Sequence, residues 1–222
     1  MLTAAAQFLT KKVAMNKRMV SPDNIRLVNG VSAGLEVISW IIADPEDVVL
    51  VPEPTFKRFF SNMNERMKTN VIGFQLTGII IISQNRKEII ILISENENCP
   101  FVLSIELLEE AIVKQLACKK KVKGFIFCNP HNPLGVVYGK NLTMELMRVC
   151  AKYQIHFISD EIYALSIHDS SESFESVLQY KENEVGYLIL FFKELFQKKT
   201  LNIKFGKGSL QVIFKSLLNS VT

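Results

Sequence analysis

Residues 123–164 read KGFIFCNPHNPLGVVYGKNLTMELMRVCAKYQIHFISDEIYA, and the succession of patterns in this stretch decides the fold. Lys123 to Cys128 is an apolar run of strand length, closed by the loop Asn129-Pro130-His131-Asn132-Pro133-Leu134-Gly135. Leu146, Met147, Cys150 and Tyr153 then recur at helical spacing on one side, with Thr143 as the expected N-cap. Ile155 to Ser159 is a second strand that stops at Asp160. A strand, a helix and a strand in this order form a crossover unit, which joins parallel neighbours in a sheet.

The same alternation runs upstream. Leu2 to Met15 carries Ala5, Phe8, Leu9 and Val13 at helical spacing, and Ser21-Pro22-Asp23-Asn24 ends that helix with turn residues. Ile25 to Val28 is a short strand; Asn29 and Gly30 turn into a helix whose apolar face includes Leu35, Ile38 and Ile42. Asp44 and Pro45 break it, Val48 to Val51 is a fully apolar strand, and a helical pattern passes through Phe56, Phe59, Phe60 and Met63. A strand is expected around Val71 to Phe74. The two isoleucine-rich runs that follow flank a polar pentad and suit a hairpin or an insertion equally. Ser104 is a good N-cap, with Glu106 in the first turn, for a helix to about Cys118. The expected fold class is therefore α/β, three-layered, with a mainly parallel sheet and helices on both faces. From Leu178 onward the grammar is lost, so 178–222 is read as a divergent tail.

Composition narrows the functional classes. A chain of 222 residues suits one sizeable α/β domain or a domain with an appendage, and 48% hydrophobic with 22% charged residues is an ordinary globular balance. The net charge is a modest +4, and the one basic cluster, Lys119, Lys120, Lys121 and Lys123, has no accompanying aromatic stacking set, which argues against nucleic acid. Cys99, Cys118, Cys128 and Cys150 lack paired spacing, so no metal site is expected, and reduced thiols point to the cytoplasm. The start lacks the features of a secretory signal, and no apolar run approaches the roughly 20 residues of a membrane span.

Ligands of such a sheet gather at the carboxyl ends of its strands. Three turns fall there. Asn29 to Ala33 opens a helix and either binds phosphate through backbone N–H groups or is simply a turn. Asn129 to Gly135 either aims an Asn amide or is a rigid connector. Asp160 with Glu161 is either a metal pair or a helix start.

Taken together and in order, these segments resemble the fold-type I enzymes of pyridoxal 5'-phosphate (PLP), the class I/II aminotransferases, and most closely 1-aminocyclopropane-1-carboxylate synthases and their animal synthase-like relatives. The carrying residues are Gly30-Val31-Ser32-Ala33, Ala43-Asp44-Pro45-Glu46-Asp47, Leu50-Val51-Pro52-Glu53-Pro54-Thr55-Phe56, the Asn129–Gly135 loop and Ser159-Asp160-Glu161-Ile162-Tyr163-Ala164. The resemblance covers residues 1–177 and implies an incomplete PLP-dependent large domain. It implies that Asp160 pairs with the pyridine nitrogen, that Asn132 and Tyr163 hydrogen-bond the ring's phenolic oxygen, and that Phe56 stacks on the ring. Gly30, Val31 and Ser32 would cradle the phosphate. The family's usual pair of tyrosines is here Thr55 and Phe56, which keeps stacking and loses hydroxyl contacts.

The resemblance also implies a Schiff-base lysine several tens of residues after the Asp-Glu-Ile-Tyr strand. Lys193, Lys198, Lys199, Lys204 and Lys207 follow it, none in the family's context, so no catalytic lysine is identifiable. Nor are the phosphate-binding arginine, the small domain that grips the substrate carboxylate, or most of the N-terminal arm. The expectation is a truncated, catalytically impaired relative of enzymes acting on amino acids. It would form a homodimer or pair with a full-length relative; the alternative reading is a non-catalytic interaction module that pairs with a full-length relative. Without the resemblance, a generic doubly wound nucleotide-binding domain would be the reading.

Overall fold

The computed structural model describes residues 1–76, 101–167 and 174–180 in full, together with the backbone of four strands at 79–84, 87–92, 189–194 and 211–215. In chain order these form α1 (Leu2–Phe8), β1 (Ile25–Val28), α2 (Gly30–Ile42), β2 (Val48–Glu53), α3 (Arg58–Asn64), β3 (Asn70–Gln75), β4 (Ile79–Gln84) and β5 (Lys87–Leu92). They continue with α4 (Ile105–Ala117), β6 (Val122–Cys128), α5 (Lys140–Lys152), β7 (His156–Asp160), β8 (Ile189–Glu194) and β9 (Gln211–Lys215).

Seven strands make one sheet in the order β1-β9-β8-β7-β6-β2-β3. Neighbours from β8 across to β3 are parallel, and β9 runs antiparallel to both β8 and β1. The expected mainly parallel sheet is thus present, and β8 and β9 show that the segment after Leu178 supplies two of its strands. The isoleucine-rich runs resolve as a hairpin: β4 and β5 pair antiparallel from Ile79↔Leu92 to Gln84↔Lys87.

Strand side chains alternate between faces, and each face has its own core. Val48, Leu50, Phe125, Phe127 and Phe157 pack with residues of α1, α4 and α5, among them Leu108, Ile112 and Leu146. Their offset partners Val49, Val51, Ile126, Cys128 and Ile158 pack with Leu35 and Ile38 of α2 and with Phe59 and Met63 of α3. Strands covered on both sides read as unbroken apolar runs, which is why β2 and β6 were visible without an alternating pattern. Phe127 and Phe157, with ring centroids 5.3 Å apart, anchor the first core beneath the loop that follows β6.

Two helix boundaries differ from the sequence reading. Thr143 is not the cap of α5. The helix begins a turn earlier, with Gly139 as an extended N-cap, and Thr143 is buried with its hydroxyl donating to the Gly139 carbonyl oxygen at 3.0 Å. A threonine four residues into a helix can satisfy its hydroxyl on the preceding turn, and burial favours that bond here. The first helix is α-helical only to Phe8 and widens into a π-helical turn over Leu9–Val13 before positive φ angles at Met15 and Asn16 end it. Ser104 does cap α4, its Oγ accepting from the Leu107 N–H at 3.3 Å.

The basic cluster lies around the start of β6, at the opposite end of that strand from its loop. Lys123 pairs with Asp47 at 3.8 Å and Lys120 with Glu46 at 4.0 Å, so part of its charge is offset. Among the described residues no helix is long and apolar enough to cross a membrane.

Candidate functional site

Cys128 and Asp160 are register partners at the carboxyl ends of β6 and β7. The Asn129 N–H donates to the Asp160 carbonyl oxygen at 2.9 Å, continuing the ladder one step beyond the strand and fixing where the next loop departs. Within that loop the Asn129 amide faces inward. It donates to the Tyr138 carbonyl oxygen at 3.0 Å and accepts from the Tyr138 N–H at 2.9 Å, so the loop is closed at its base. The Asn129-Pro130 and Asn132-Pro133 peptides are both cis, and Gly135 has φ +70°. His131 is buried inside the loop and burial pulls its imidazole down to about 4, so it is neutral at pH 7. Asn132 is thereby carried to the rim.

After Asp160 the chain turns. The Ile162 N–H donates to Asp160 Oδ1 at 3.2 Å, and further turns through Ala164 and Ser166 bring Tyr163 back over the rim. Asn132 Nδ2 meets the Tyr163 hydroxyl at 3.4 Å. Glu161 goes elsewhere: its Oε1 accepts from the Val177 N–H at 2.8 Å and the Ser159 hydroxyl at 3.3 Å, anchoring the short helix at Val177–Gln179. Asp160 and Glu161 are therefore neither a metal pair nor a helix start. Among the described residues no group of metal-ligating side chains occurs.

Val31, Ser32, Phe56, Asn132, Asp160 and Tyr163 line one cavity of about 170 Å³, so the sequence-predicted residues converge. Gly30 is the exception: it lies at the first position of α2 with φ +88°, where its role is to turn the backbone. Ser32 Oγ accepts from Asn62 Nδ2 of α3 at 3.1 Å. Asn29 makes no side-chain cap on α2, so the first N–H groups of the helix are not closed off by it. Phe56 stands edge-on to Phe59, with centroids 5.6 Å apart.

Three further lining residues escaped the sequence reading: Phe59, Cys128 and Ile162. Cys128 and Ile162 flank signals that were read, one preceding the Asn-Pro loop and the other following Asp160. The position of Cys128 at a strand end beside another strand end was the available clue.

Electrostatically the site centres on Asp160. It is only 3% exposed, and burial pushes its carboxyl up to about 7 against the opposing effect of the Ile162 N–H. Cys128 is pushed well up as well, first by burial and then by the Asp160 charge, so its thiol stays neutral. A buried acid facing a cavity favours a ligand that brings a cationic N–H to it. An aromatic ring, an amide–phenol pair and the start of α2 face the same cavity. The cavity is below the ~300–1,000 Å³ of ordinary ligand pockets and suits one ring rather than a dinucleotide. A larger hollow of about 480 Å³ lies between Val13, Lys17, Leu165 and Phe174, away from these groups. Its polar lining residues are engaged with one another or with backbone, Lys17 with Glu175 at 3.8 Å and the Gln179 amide donating to the Val13 carbonyl oxygen at 3.1 Å.

Comparison with known proteins decides the family. A profile described as aminotransferase class I and II matches residues 1–191. The chain belongs to the class I and II aminotransferase family. Within this family it is similar to the human probable inactive 1-aminocyclopropane-1-carboxylate synthase-like protein 2, with 30% identity over 176 residues, covering 79% of this chain and 28% of that protein. It is also similar to 1-aminocyclopropane-1-carboxylate synthase 7 of Arabidopsis thaliana, with 33% identity over 180 residues, 81% of this chain and 36% of that one. The chain thus spans about a third of the length of these curated relatives.

Solved structures agree on the fold. An Escherichia coli aminotransferase superposes with a TM-score of 0.70 at 16% identity, over 99% of this chain and 45% of that chain. Cystalysin from Treponema denticola, whose structure contains a PLP cofactor, superposes with a TM-score of 0.69 at 20% identity, over 96% and 46%. The class I and II aminotransferase chain described here therefore shares the fold of those proteins over a little under half their length.

Proposed function

We propose that this chain binds pyridoxal 5'-phosphate in the cavity above β6 and β7 and derives from an enzyme acting on amino acids. Asp160 would hold the pyridine nitrogen, Asn132 and Tyr163 the phenolic oxygen, Phe56 one ring face, and the Gly30-Val31-Ser32 turn the phosphate. One observation carries the reading: a fully buried carboxyl, poised near neutrality, opens onto a cavity that Asn132, Tyr163, Phe56 and the start of α2 share. When bound, PLP supplies an electron sink for bonds next to an amino group.

The residues present support holding and orienting such a ring. Asp160 would accept a proton-bearing nitrogen, and ionising in that contact offsets the desolvation that otherwise keeps it protonated. Cys128, buried, and Ile162 contribute apolar lining beside Asp160. Pairing with a second copy or with a full-length relative belongs to the same proposal, as do reduced turnover and a cytoplasmic setting.

Equilibrium binding of PLP to the chain and to Asp160→Ala and Asp160→Asn provides the test. Affinity is expected to fall on the order of tenfold or more in both variants, the size of one charge-assisted hydrogen bond in a buried site. Equal affinity in all three proteins would sink the proposal, as would preferential binding of a nucleotide that ignores Asp160.

A further inference from the structure

We infer that Asn62 is a positioning residue for the anion end of the cavity: it holds Ser32 so that the Ser32 hydroxyl proton is donated to the ligand's phosphate. This rests on the PLP reading above and goes beyond it, because Asn62 stands outside the cavity's lining and acts only through Ser32.

The argument starts from what a hydroxyl can do. Ser32 carries one O–H donor and two acceptor lone pairs. A serine inside a helix commonly spends its proton on a carbonyl of the preceding turn. Ser39 of α2 and Ser61 of α3 do so, donating to the Glu36 and Arg58 carbonyl oxygens at 2.7 and 3.3 Å. Ser32 is the third residue of α2, and the chain before Gly30 is strand rather than helix. Its oxygen instead accepts from Asn62 Nδ2 at 3.1 Å. That bond occupies a lone pair and leaves the proton for another partner; among the described residues none takes it. The hydroxyl lines the cavity beside the backbone N–H groups that open α2, which is where an anion is held. An amide donating to the oxygen also polarises the O–H bond and strengthens what it donates.

The rest of the contact between the two helices sets Asn62 in place. Leu35 and Ile38 of α2 pack with Phe59 and Met63 of α3. One turn beyond Ser32 and Asn62, Arg66 Nε meets Glu36 Oε1 at 3.0 Å, so the two polar rungs repeat the same sequence offset. Phe59, one turn before Asn62, itself lines the cavity. α3 therefore supplies both a wall of the site and the group that orients its hydroxyl donor.

The opposite arrangement has the opposite effect. An acceptor in place of the amide nitrogen would take the Ser32 proton and turn a lone pair toward the anion. Asn62→Asp makes that exchange with almost no change in shape, and brings a negative charge close to the phosphate position.

Equilibrium dialysis of the full chain with PLP and with pyridoxal provides the test. The two share ring and aldehyde, so the ratio of their affinities reads the phosphate contacts alone. Ser32→Ala should lower PLP affinity about tenfold, Asn62→Ala about three- to fivefold and Asn62→Asp roughly tenfold or more, with pyridoxal affinity staying within about twofold throughout. Adding Asn62→Ala to Ser32→Ala should change PLP affinity no further, because the pair acts as one unit. An Asn62 that only holds the helices together would move PLP and pyridoxal alike and would add to Ser32→Ala; that result overturns the inference. PLP affinity equal to wild type in Asn62→Asp overturns it as well, and this near-isosteric variant decides the matter if the alanine variant does not fold. Either result beside Asp160-dependent PLP binding in the wild type leaves the PLP reading standing, whereas a wild type that binds neither PLP nor pyridoxal removes both.

Discussion

Cys128 and Asp160 sit side by side in register, and both line the cavity. Register partners of a parallel pair share a face, so a neutral thiol forms the wall next to the carboxyl. Burial pushes both groups up, and the Asp160 charge pushes the thiol further. The acid is therefore set by its surroundings to respond to a cation.

In the ligand-free protein this arrangement fixes the sign of a pH dependence. Asp160 has a folded-state value near 7, above the 3.8 of an ordinary aspartate, so between about pH 4 and pH 7 the folded chain holds a proton the unfolded chain has lost. Its contribution to stability is fully present below pH 4 and is lost as pH rises toward 7. Urea unfolding at pH 5 and pH 7.5 should show lower stability at the higher pH. Asp160→Asn should flatten that difference; an unchanged slope would contradict the assignment to Asp160.

The loop after β6 depends on Asn129. Asn129→Ala removes both amide bonds to the Tyr138 backbone, at 3.0 and 2.9 Å, inside a buried loop. A loss of about 1–3 kcal/mol is expected from a buried backbone group deprived of its partner. Denaturant titration measures it, and a loss below about 0.5 kcal/mol would mean that the loop does not need this clamp.

Gly30 carries φ +88° with nothing near its missing side chain. Gly30→Ala should therefore cost stability through the backbone alone, about 1–2 kcal/mol, and should weaken PLP binding by disturbing the start of α2. Thermal unfolding and PLP titration read the two effects.

Phe56 is 38% exposed, so Phe56→Ala should leave stability nearly unchanged. Loss of an aromatic stack of about 0.5–1.5 kcal/mol should lower PLP affinity by roughly two- to tenfold. An affinity equal to that of the wild type would exclude stacking on this ring.

Thiol titration checks the packing around the site. Cys118 is exposed, whereas Cys128 and Cys150 are buried with thiols pushed up by desolvation. Cys118 should modify first, and Cys128 only on unfolding. Rapid modification of Cys128 in the native protein would contradict a closed wall beside Asp160.

The sequence shows most of the parallel frame, because strands buried on both faces and helices capped as Ser104 caps α4 leave local marks. It also shows six of the cavity's lining residues, since their turns follow strand ends. Thr143 misled because a hydroxyl buried in the first turns of a helix looks, in one dimension, like a cap. The isoleucine-rich runs were ambiguous because apolar continuity marks a strand without naming its partner. The place of Cys128 and Phe59 in the cavity depends on which elements lie side by side, and that is a property of packing between distant segments.

The position of β9 has a consequence for the order in which the molecule is made. Among the described residues β1, residues 25–28, has as its sheet neighbour β9, residues 211–215. A chain emerging from the ribosome amino end first must hold that early strand unpaired until nearly all of the described structure has been synthesised. Contacts this far apart in sequence form slowly. The β1–β9 pairing is therefore among the last contacts of the sheet to form, whereas α2 already docks through Leu35 and Ile38 on the face of β2, β6 and β7, so the cavity's walls can assemble before that edge of the sheet is complete.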